Sequence, residues 1–235
     1  MNPFSVESVK QYIAKEDIFR YLNDREGIFE KESFWRERIE AIMEETLRLA
    51  AIKVTRAESA ITVSPERARI FLTDYGKVVI ESADLAKILK SAHKVHLVAV
   101  TLGHTLERRI QYYMSGNPSK GVMMDACASV LAEAVCDMIN DFIIESEPDL
   151  YHANRFSPGY GDLSMDVMPK LAAILNMEKS IGVMLSKTYM MLPQKSVVYI
   201  LGASHVQDET TLEICEHKCY NCQLKSCQYR SKGSL

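Results

Sequence analysis

The sequence predicts an α+β fold in which long helices pack on a mostly antiparallel sheet. Helical and extended patterns are mixed along the chain without the regular alternation that builds parallel βαβ units. No G-x-G-x-x-G opens a helix after a strand and no G-x-x-x-x-G-K-[ST] occurs, so two common nucleotide-binding motifs are absent. With 235 residues, 47% of them hydrophobic, the chain can bury a core without a disulfide framework.

The helices are predicted from apolar residues that recur at helical spacing. The clearest amphipathic helix spans 31–52, and the longest spans 120–145, with Pro148 just beyond its end. Ser82 is a candidate N-cap for a shorter helix, and another helix follows Gly103. The remaining helical patterns lie at 4–22 and 166–177.

The strands are predicted from alternating or continuous apolar runs. "SAITVS" and "RARIFL" alternate apolar and polar residues around Pro65, and "KVVIES" follows a turn signal at 74–76, so we expect two or three strands here. The valine-rich run 95–103 is typical of a buried strand. Further strands are expected at 180–185 and 196–202, separated by a loop that holds "MMLP".

Charge and apolar-run length exclude several classes of partner. The 28 basic and 31 acidic residues give a net charge of −3, and no block of lysine or arginine suggests binding to nucleic acid or to an anionic membrane. Acidic residues stand where a signal peptide would have its apolar core, and the longest apolar runs are too short to span a bilayer. We therefore expect a cytoplasmic protein.

The loop "RFSPGYGDL" that follows the longest helix carries groups suited to holding a ligand. Pro158 and Gly159 fit the two central positions of a type II turn, because proline presets φ and glycine accepts a positive φ. Arg155 offers a planar fork for a carboxylate or phosphate, and Tyr160 offers a flat ring with a polar tip. Together they could cradle a small zwitterion that carries a ring. The alternative is a surface turn whose arginine is solvated or pairs with a nearby acid.

Glu133 adds a second charged group to this candidate site. It lies among the apolar residues of the longest helix, beside the buried stripe, and a carboxylate near a buried face needs a partner. The ammonium group of a ligand could serve, and so could Arg155 itself.

Four pieces in a fixed order resemble the activation (reactivation) domain of cobalamin-dependent methionine synthase. They are the helix with "LAEA", the turn "RFSPGYGDL", and, within "KSIGVMLSKTYMMLPQKSV", an Ile-Gly-Val-x-Leu strand and a Met-x-Pro segment before Ser-Val. The likeness runs over residues 120–200 and is weaker upstream. In the large enzymes this domain is fused at the C-terminus, so the sequence suggests a free-standing version.

The resemblance implies a ligand and a role for each site residue. Such domains bind S-adenosylmethionine and close over the corrinoid of a cobalamin-binding module. By motif match, Arg155 would hold the ligand's carboxylate and Glu133 its ammonium group. The backbone at Ser157, Pro158 and Gly159 would contact the ligand, and Tyr160 would lie close to it and to the upper face of the cobalt. The chain departs from the family in having Gly161 where a proline is usual after the tyrosine.

The C-terminal end differs from the rest of the chain. We expect residues 1–206, including the N-terminal helices in 1–52, to form one domain, and 207–235 to form a polar, cysteine-rich tail. Four thiols within thirteen residues can hold a zinc ion or an iron–sulfur cluster, although a redox dithiol or an inert tail is also compatible with the spacing. These cysteines are Cys215, Cys219, Cys222 and Cys227.

The resemblance predicts an accessory component of a cobalamin-dependent methyltransferase. It would bind S-adenosylmethionine and support reductive methylation of cob(II)alamin held by a partner such as methionine synthase. A flavodoxin- or ferredoxin-like protein would donate the electron. The alternatives are a module that caps a corrinoid protein without hosting methyl transfer, and a metal-binding regulatory protein that depends on the tail.

Overall fold

The computed structural model describes residues 5–24, 27, 31–76 and 78–207. Within these residues the α-helices are α1 (Val6–Val9), α2 (Lys15–Tyr21), α3 (Ser33–Leu49), α4 (Ala83–Ile88), α5 (His104–Gly116), α6 (Pro118–Ser146), α7 (Met168–Ile174) and α8 (Met177–Ile181). Short 3₁₀ turns lie at Lys10–Tyr12, Pro65–Arg67, Thr73–Tyr75 and Met165–Val167. None of the helices in the described ranges is long and apolar enough to cross a membrane.

The main sheet has six strands, and every neighbouring pair is antiparallel. The order is β3-β2-β1-β4-β8-β5, with a separate hairpin formed by β6 and β7. The strands are β1 (Lys53–Ser64), β2 (Arg69–Leu72), β3 (Val78–Glu81), β4 (Lys94–Thr101), β5 (Tyr151–His152), β6 (Met184–Leu185), β7 (Met191–Leu192) and β8 (Ser196–Ser204). The predicted α+β class with a mostly antiparallel sheet is therefore confirmed.

Helices cover both faces of the sheet, which explains the continuous apolar run of β4. Val98 and Val100 pack with the long helix α6, whereas Leu97 and Ala99 pack with the cluster that contains α4, α7 and α8. Successive side chains of a strand point to opposite faces, so a strand buried on both sides must be apolar at nearly every position.

The helix α6 is the central element of one layer. The side chain of Asn117 accepts a hydrogen bond from the amide of Lys120 at 3.2 Å, and Pro118 occupies the first turn, where its missing N–H has no cost. Leu131, Val135 and many other side chains of this helix are buried against α2, α3 and α5. This packing places Glu133 on the face of α6 that contacts the loop after β5.

Some local predictions differ from the structure. The single helix expected at 166–177 is broken, because Asn176 adopts a left-handed conformation with φ of 48° between α7 and α8. The strand expected at 180–185 is only Met184–Leu185, since α8 runs to Ile181 and Gly182 ends it with φ of 73°. The "MMLP" segment, predicted as a loop, supplies β7. Ser82 does cap α4, accepting from the amide of Leu85 at 3.0 Å.

Candidate ligand-binding site

The loop after β5 is held against the sheet edge before it turns. Phe156 exchanges two backbone hydrogen bonds with Ile200 of β8, at 2.9 and 2.8 Å. The amide of Tyr160 then donates to the carbonyl of Ser157 at 3.1 Å, and Gly159 has φ of 88°. A positive φ at the third residue of a turn whose second residue is proline defines the type II turn predicted from the sequence.

Arg155 immediately precedes this turn and pairs with two carboxylates of α6. Its Nη2 lies 2.5 Å from Oε2 of Glu133, and its Nη1 contacts Asp137 even more closely. Glu133 and Asp137 are four residues apart, so they lie one above the other on the same face of the helix. The arginine side chain is 15% exposed, whereas the two carboxylates are 43% and 52% exposed. The carboxylate of Glu133, which lies beside the buried face of α6, therefore has Arg155 as its partner in the structure.

The guanidinium group lies within electrostatic range of a buried thiol and a buried tyrosine. Burial disfavours the charged form of Arg155, but the carboxylates of Asp137 and Glu133 outweigh it and raise the pKa of the arginine above its ordinary value. Burial raises the pKa of the Cys136 thiol to about 12, so this cysteine stays neutral. Tyr199 is also buried, and its hydroxyl finds no hydrogen-bond partner among the described residues. The arginine therefore remains charged.

Two tyrosines flank the pair of charges. Burial, together with the charge of Glu133 and the nearby Tyr160, raises the pKa of Tyr21 to about 12. Tyr160 is 65% exposed at the tip of the turn. The site thus presents a carboxylate, a guanidinium and two aromatic rings at one surface. Tyr21 was not predicted from the sequence, because nothing in α2 signals that it packs beside α6. Asp137 was not predicted either, although its i, i+4 spacing from Glu133 was a usable signal.

The far end of the loop is fixed by Asp162. Its carboxylate accepts from the amides of Ala83 and Asp84 at 2.7 and 3.2 Å, and from the hydroxyl of Ser82. Burial raises the pKa of Asp162, but these hydrogen bonds outweigh it and hold the pKa below its ordinary value. Gly161 adopts φ of 53°, which proline cannot reach, so the usual family residue does not fit the loop as this chain builds it.

The other predicted positions are distributed as follows. An open cleft of about 590 Å³ on the other side of Asp162 is lined by residues such as Arg67 and Arg69, and it includes none of the predicted ligand residues. Cys127 and Cys136 are free cysteines that are buried in α6. The four predicted metal ligands, Cys215, Cys219, Cys222 and Cys227, lie outside the described residues.

The comparisons with known proteins identify one family and one related fold. The family model described as "Vitamin B12 dependent methionine synthase, activation domain" matches residues 80–216, which is more than half of the chain. A crystal structure of the MetH reactivation domain bound to AdoHcy matches with a TM-score of 0.67 and 17% identity, covering 87% of this chain and 78% of that one. At this identity the likeness shows a shared fold. No curated protein matches the chain.

Proposed function

Because this chain belongs to the family of vitamin B12-dependent methionine synthase activation domains, we propose that it binds S-adenosylmethionine and supports reductive methylation of cob(II)alamin on a corrinoid protein. The crystallised MetH reactivation domain of the same fold is bound to AdoHcy, which is S-adenosylmethionine without its transferred methyl group. That ligand chemistry guides the assignment of residues below.

The contact between Arg155 and Glu133 carries the proposal. The two ends of an amino acid are an ammonium and a carboxylate joined through one carbon, and here a carboxylate and a guanidinium lie 2.5 Å apart at a surface. A zwitterion that enters between them replaces the two ion pairs of Arg155 with two new ones: its carboxylate meets the fork of Arg155 and its ammonium meets Glu133. Asp137 must release the guanidinium for this exchange.

The turn and its tyrosine account for the rest of the ligand. The backbone at Ser157, Pro158 and Gly159 is held in one conformation by two hydrogen bonds: the amide of Tyr160 donates to the carbonyl of Ser157, and the amide of Gly159 donates to the carbonyl of Leu163. The missing side chain of Gly159 allows close approach. The exposed ring of Tyr160 offers a face on which a flat ligand group, or the corrin of a partner, can stack.

The protein's contribution to methyl transfer is to bind and orient. Cobalamin, held by the partner, would supply the metal that accepts one electron and the methyl group, leaving S-adenosylhomocysteine. Holding the methyl donor in a fixed orientation would remove much of the entropic barrier to its transfer, and no side chain of this chain has to act as a nucleophile. The electron would come from a flavodoxin- or ferredoxin-like donor.

Two parts of the proposal concern the rest of the chain. We propose that residues 1–206 act as the ligand-binding domain, since the predicted ligand residues all lie within it. We propose that Cys215, Cys219, Cys222 and Cys227 of the 207–235 tail bind zinc or an iron–sulfur cluster. Metal analysis of anaerobically purified protein tests the second part, and a metal-free sample with full activity would refute it.

Calorimetry with S-adenosylmethionine and S-adenosylhomocysteine tests the binding site. Loss of a charge-assisted bidentate contact costs about 1.5–3 kcal/mol, so Arg155→Ala should weaken binding roughly 10- to 150-fold. Arg109→Ala is the matched control, because Arg109 pairs with Glu45 on another part of the helical layer. Equal affinity for the parent and Arg155→Ala would exclude this site.

A turnover assay then separates methyl transfer from simple capping of the corrinoid. Cob(II)alamin protein, a reductant and S-adenosylmethionine should yield methylcobalamin only when this chain is present. Binding without turnover would leave a non-catalytic capping function.

A further inference from the structure

A second cluster of ionisable side chains lies where β4 begins, β5 pairs with β8, and α6 ends. His96 belongs to β4, His152 to β5, and Glu147 is the first residue after α6. Both imidazoles are almost completely buried, with 1% and 2% of their side chains exposed, and Glu147 is 15% exposed. The proposed binding of S-adenosylmethionine uses none of these residues, so the inference below is independent of it.

The three side chains converge on one point. Nε2 of His96 lies 3.1 Å, and Nε2 of His152 lies 2.9 Å, from the same oxygen, Oε2 of Glu147. One ligand atom from each residue lies within 4.8 Å of the other two. Nitrogen and oxygen ligands about 2.0–2.1 Å from a zinc ion are separated from one another by roughly 3.0–3.4 Å, depending on geometry. The two nitrogen–oxygen separations, 3.1 and 2.9 Å, are therefore close to those of a coordination sphere.

A neutral His96 cannot donate a hydrogen bond to both of the carboxylates that face its ring nitrogens. Its Nε2 faces Glu147, and its Nδ1 lies 3.5 Å from Oε1 of Glu58 on the adjacent strand. A neutral imidazole has one N–H, and burial penalises the doubly protonated cation. The Nδ1 atoms of His96 and His152 are both buried and have no hydrogen-bond partner among the described residues. A metal ion on Nε2 would place the proton of His96 on Nδ1, facing Glu58, as is usual behind metal-bound histidines.

Lys94 sets the orientation of the carboxylate. Its Nζ lies 2.5 Å from Oε1 of Glu147 and 3.9 Å from Oε2 of Glu58. It therefore engages one oxygen of Glu147 and leaves the other, Oε2, directed at the two imidazoles. Its positive charge also reduces the affinity of the site for any cation. With two imidazoles and one carboxylate as ligands, the site favours a metal that binds nitrogen strongly.

We propose that His96, Glu147 and His152 form a binding site for a divalent transition-metal ion such as Zn²⁺. Imidazole nitrogen with carboxylate oxygen suits zinc, iron(II) and cobalt(II) rather than calcium or magnesium, which prefer oxygen alone. The ion would fasten the short edge strand β5 and the end of α6 to β4.

Zinc retention by the full chain tests the proposal, once the tail thiols are removed as competing ligands. The parent for this test carries serine at Cys215, Cys219, Cys222 and Cys227. After treatment with a chelator and dialysis against Zn²⁺, it should retain about one zinc ion per chain. His152→Gln and Glu147→Gln should each lose that ion. The control His104→Gln, which changes a histidine on α5 that contacts the carbonyl of Gly182, should keep it.

Two measurements distinguish the loss of the metal site from the misfolding of a variant. Circular dichroism compares each variant with the parent, and X-ray absorption at the zinc edge examines the parent without any histidine change. Nitrogen and oxygen ligands at about 2.0–2.1 Å with imidazole scattering support the site. A parent that retains no zinc, or a folded His152→Gln variant that retains as much as the parent, overturns it.

Discussion

Asp137→Asn should tighten the binding of S-adenosylhomocysteine, although it removes a charged group from the candidate site. In the proposed binding mode the ligand's carboxylate meets the guanidinium of Arg155, which Asp137 contacts in the structure, so the ligand has to displace Asp137. The amide of asparagine is neutral and competes less well for the arginine. Glu133 is unchanged in this variant and remains available for the ligand's ammonium group.

The size of the effect follows from the exposure of the pair. Exposed ion pairs contribute about 0.2–1 kcal/mol. The carboxylate of Asp137 is 52% exposed, which favours a small value, but Arg155 is only 15% exposed, which favours the upper part of the range. A gain of up to about 1 kcal/mol corresponds to a dissociation constant that is roughly fivefold lower.

Calorimetry should use both ligands and one matched control. S-adenosylmethionine carries an additional sulfonium charge that a nearby carboxylate attracts, so its gain should be smaller than that of S-adenosylhomocysteine. Asp125→Asn removes the same charge from the same helix but frees Lys195, 2.9 Å away, instead of Arg155. Weaker binding by Asp137→Asn would mean that Asp137 contacts the ligand, and equal tightening by Asp125→Asn would reduce the effect to overall charge. Either result refutes the competition argument.

Three further predictions concern stability. Leu131→Ala, in the fully buried stripe of α6, should lower the free energy of unfolding by about 2–5 kcal/mol in chemical denaturation, whereas Ile144→Ala, 42% exposed on the same helix, should change it by less than about 1 kcal/mol. Gly161→Pro should lower both this free energy and ligand affinity, because a φ of 53° is closed to proline; a variant unchanged in both would contradict the loop geometry. Asp162→Asn should destabilise the protein at pH 7. Since the folded pKa of Asp162 is depressed, the stability difference between the parent and this variant should shrink as pH falls below the ordinary value of 3.8. Chemical denaturation at several pH values measures this difference, and a constant value would show that the ionised carboxylate does not stabilise the loop.

Much of the turn that contains Pro158 and Gly159 could be predicted from local rules. Proline and glycine at successive positions restrict the backbone to few turns, so the type II turn at Pro158–Gly159 could be predicted without tertiary information. The burial of β4 on both faces followed in the same way from its continuous apolar run. The break at Asn176 and the hairpin at Met191–Leu192 were missed, because short elements depend on packing more than on periodicity.

The sequence by itself determined the fold class, the long central helix and the residues that resemble a methionine synthase activation domain, because these depend on periodicity and on motifs within short stretches. Only the tertiary structure decided which charges meet. It brought Asp137 into contact with Arg155, set Tyr21 near Glu133, and gathered His96 and His152 around one oxygen atom of Glu147. Such contacts join residues far apart in the chain, and their geometry is set by how a helix lies across a sheet, which no local pattern encodes.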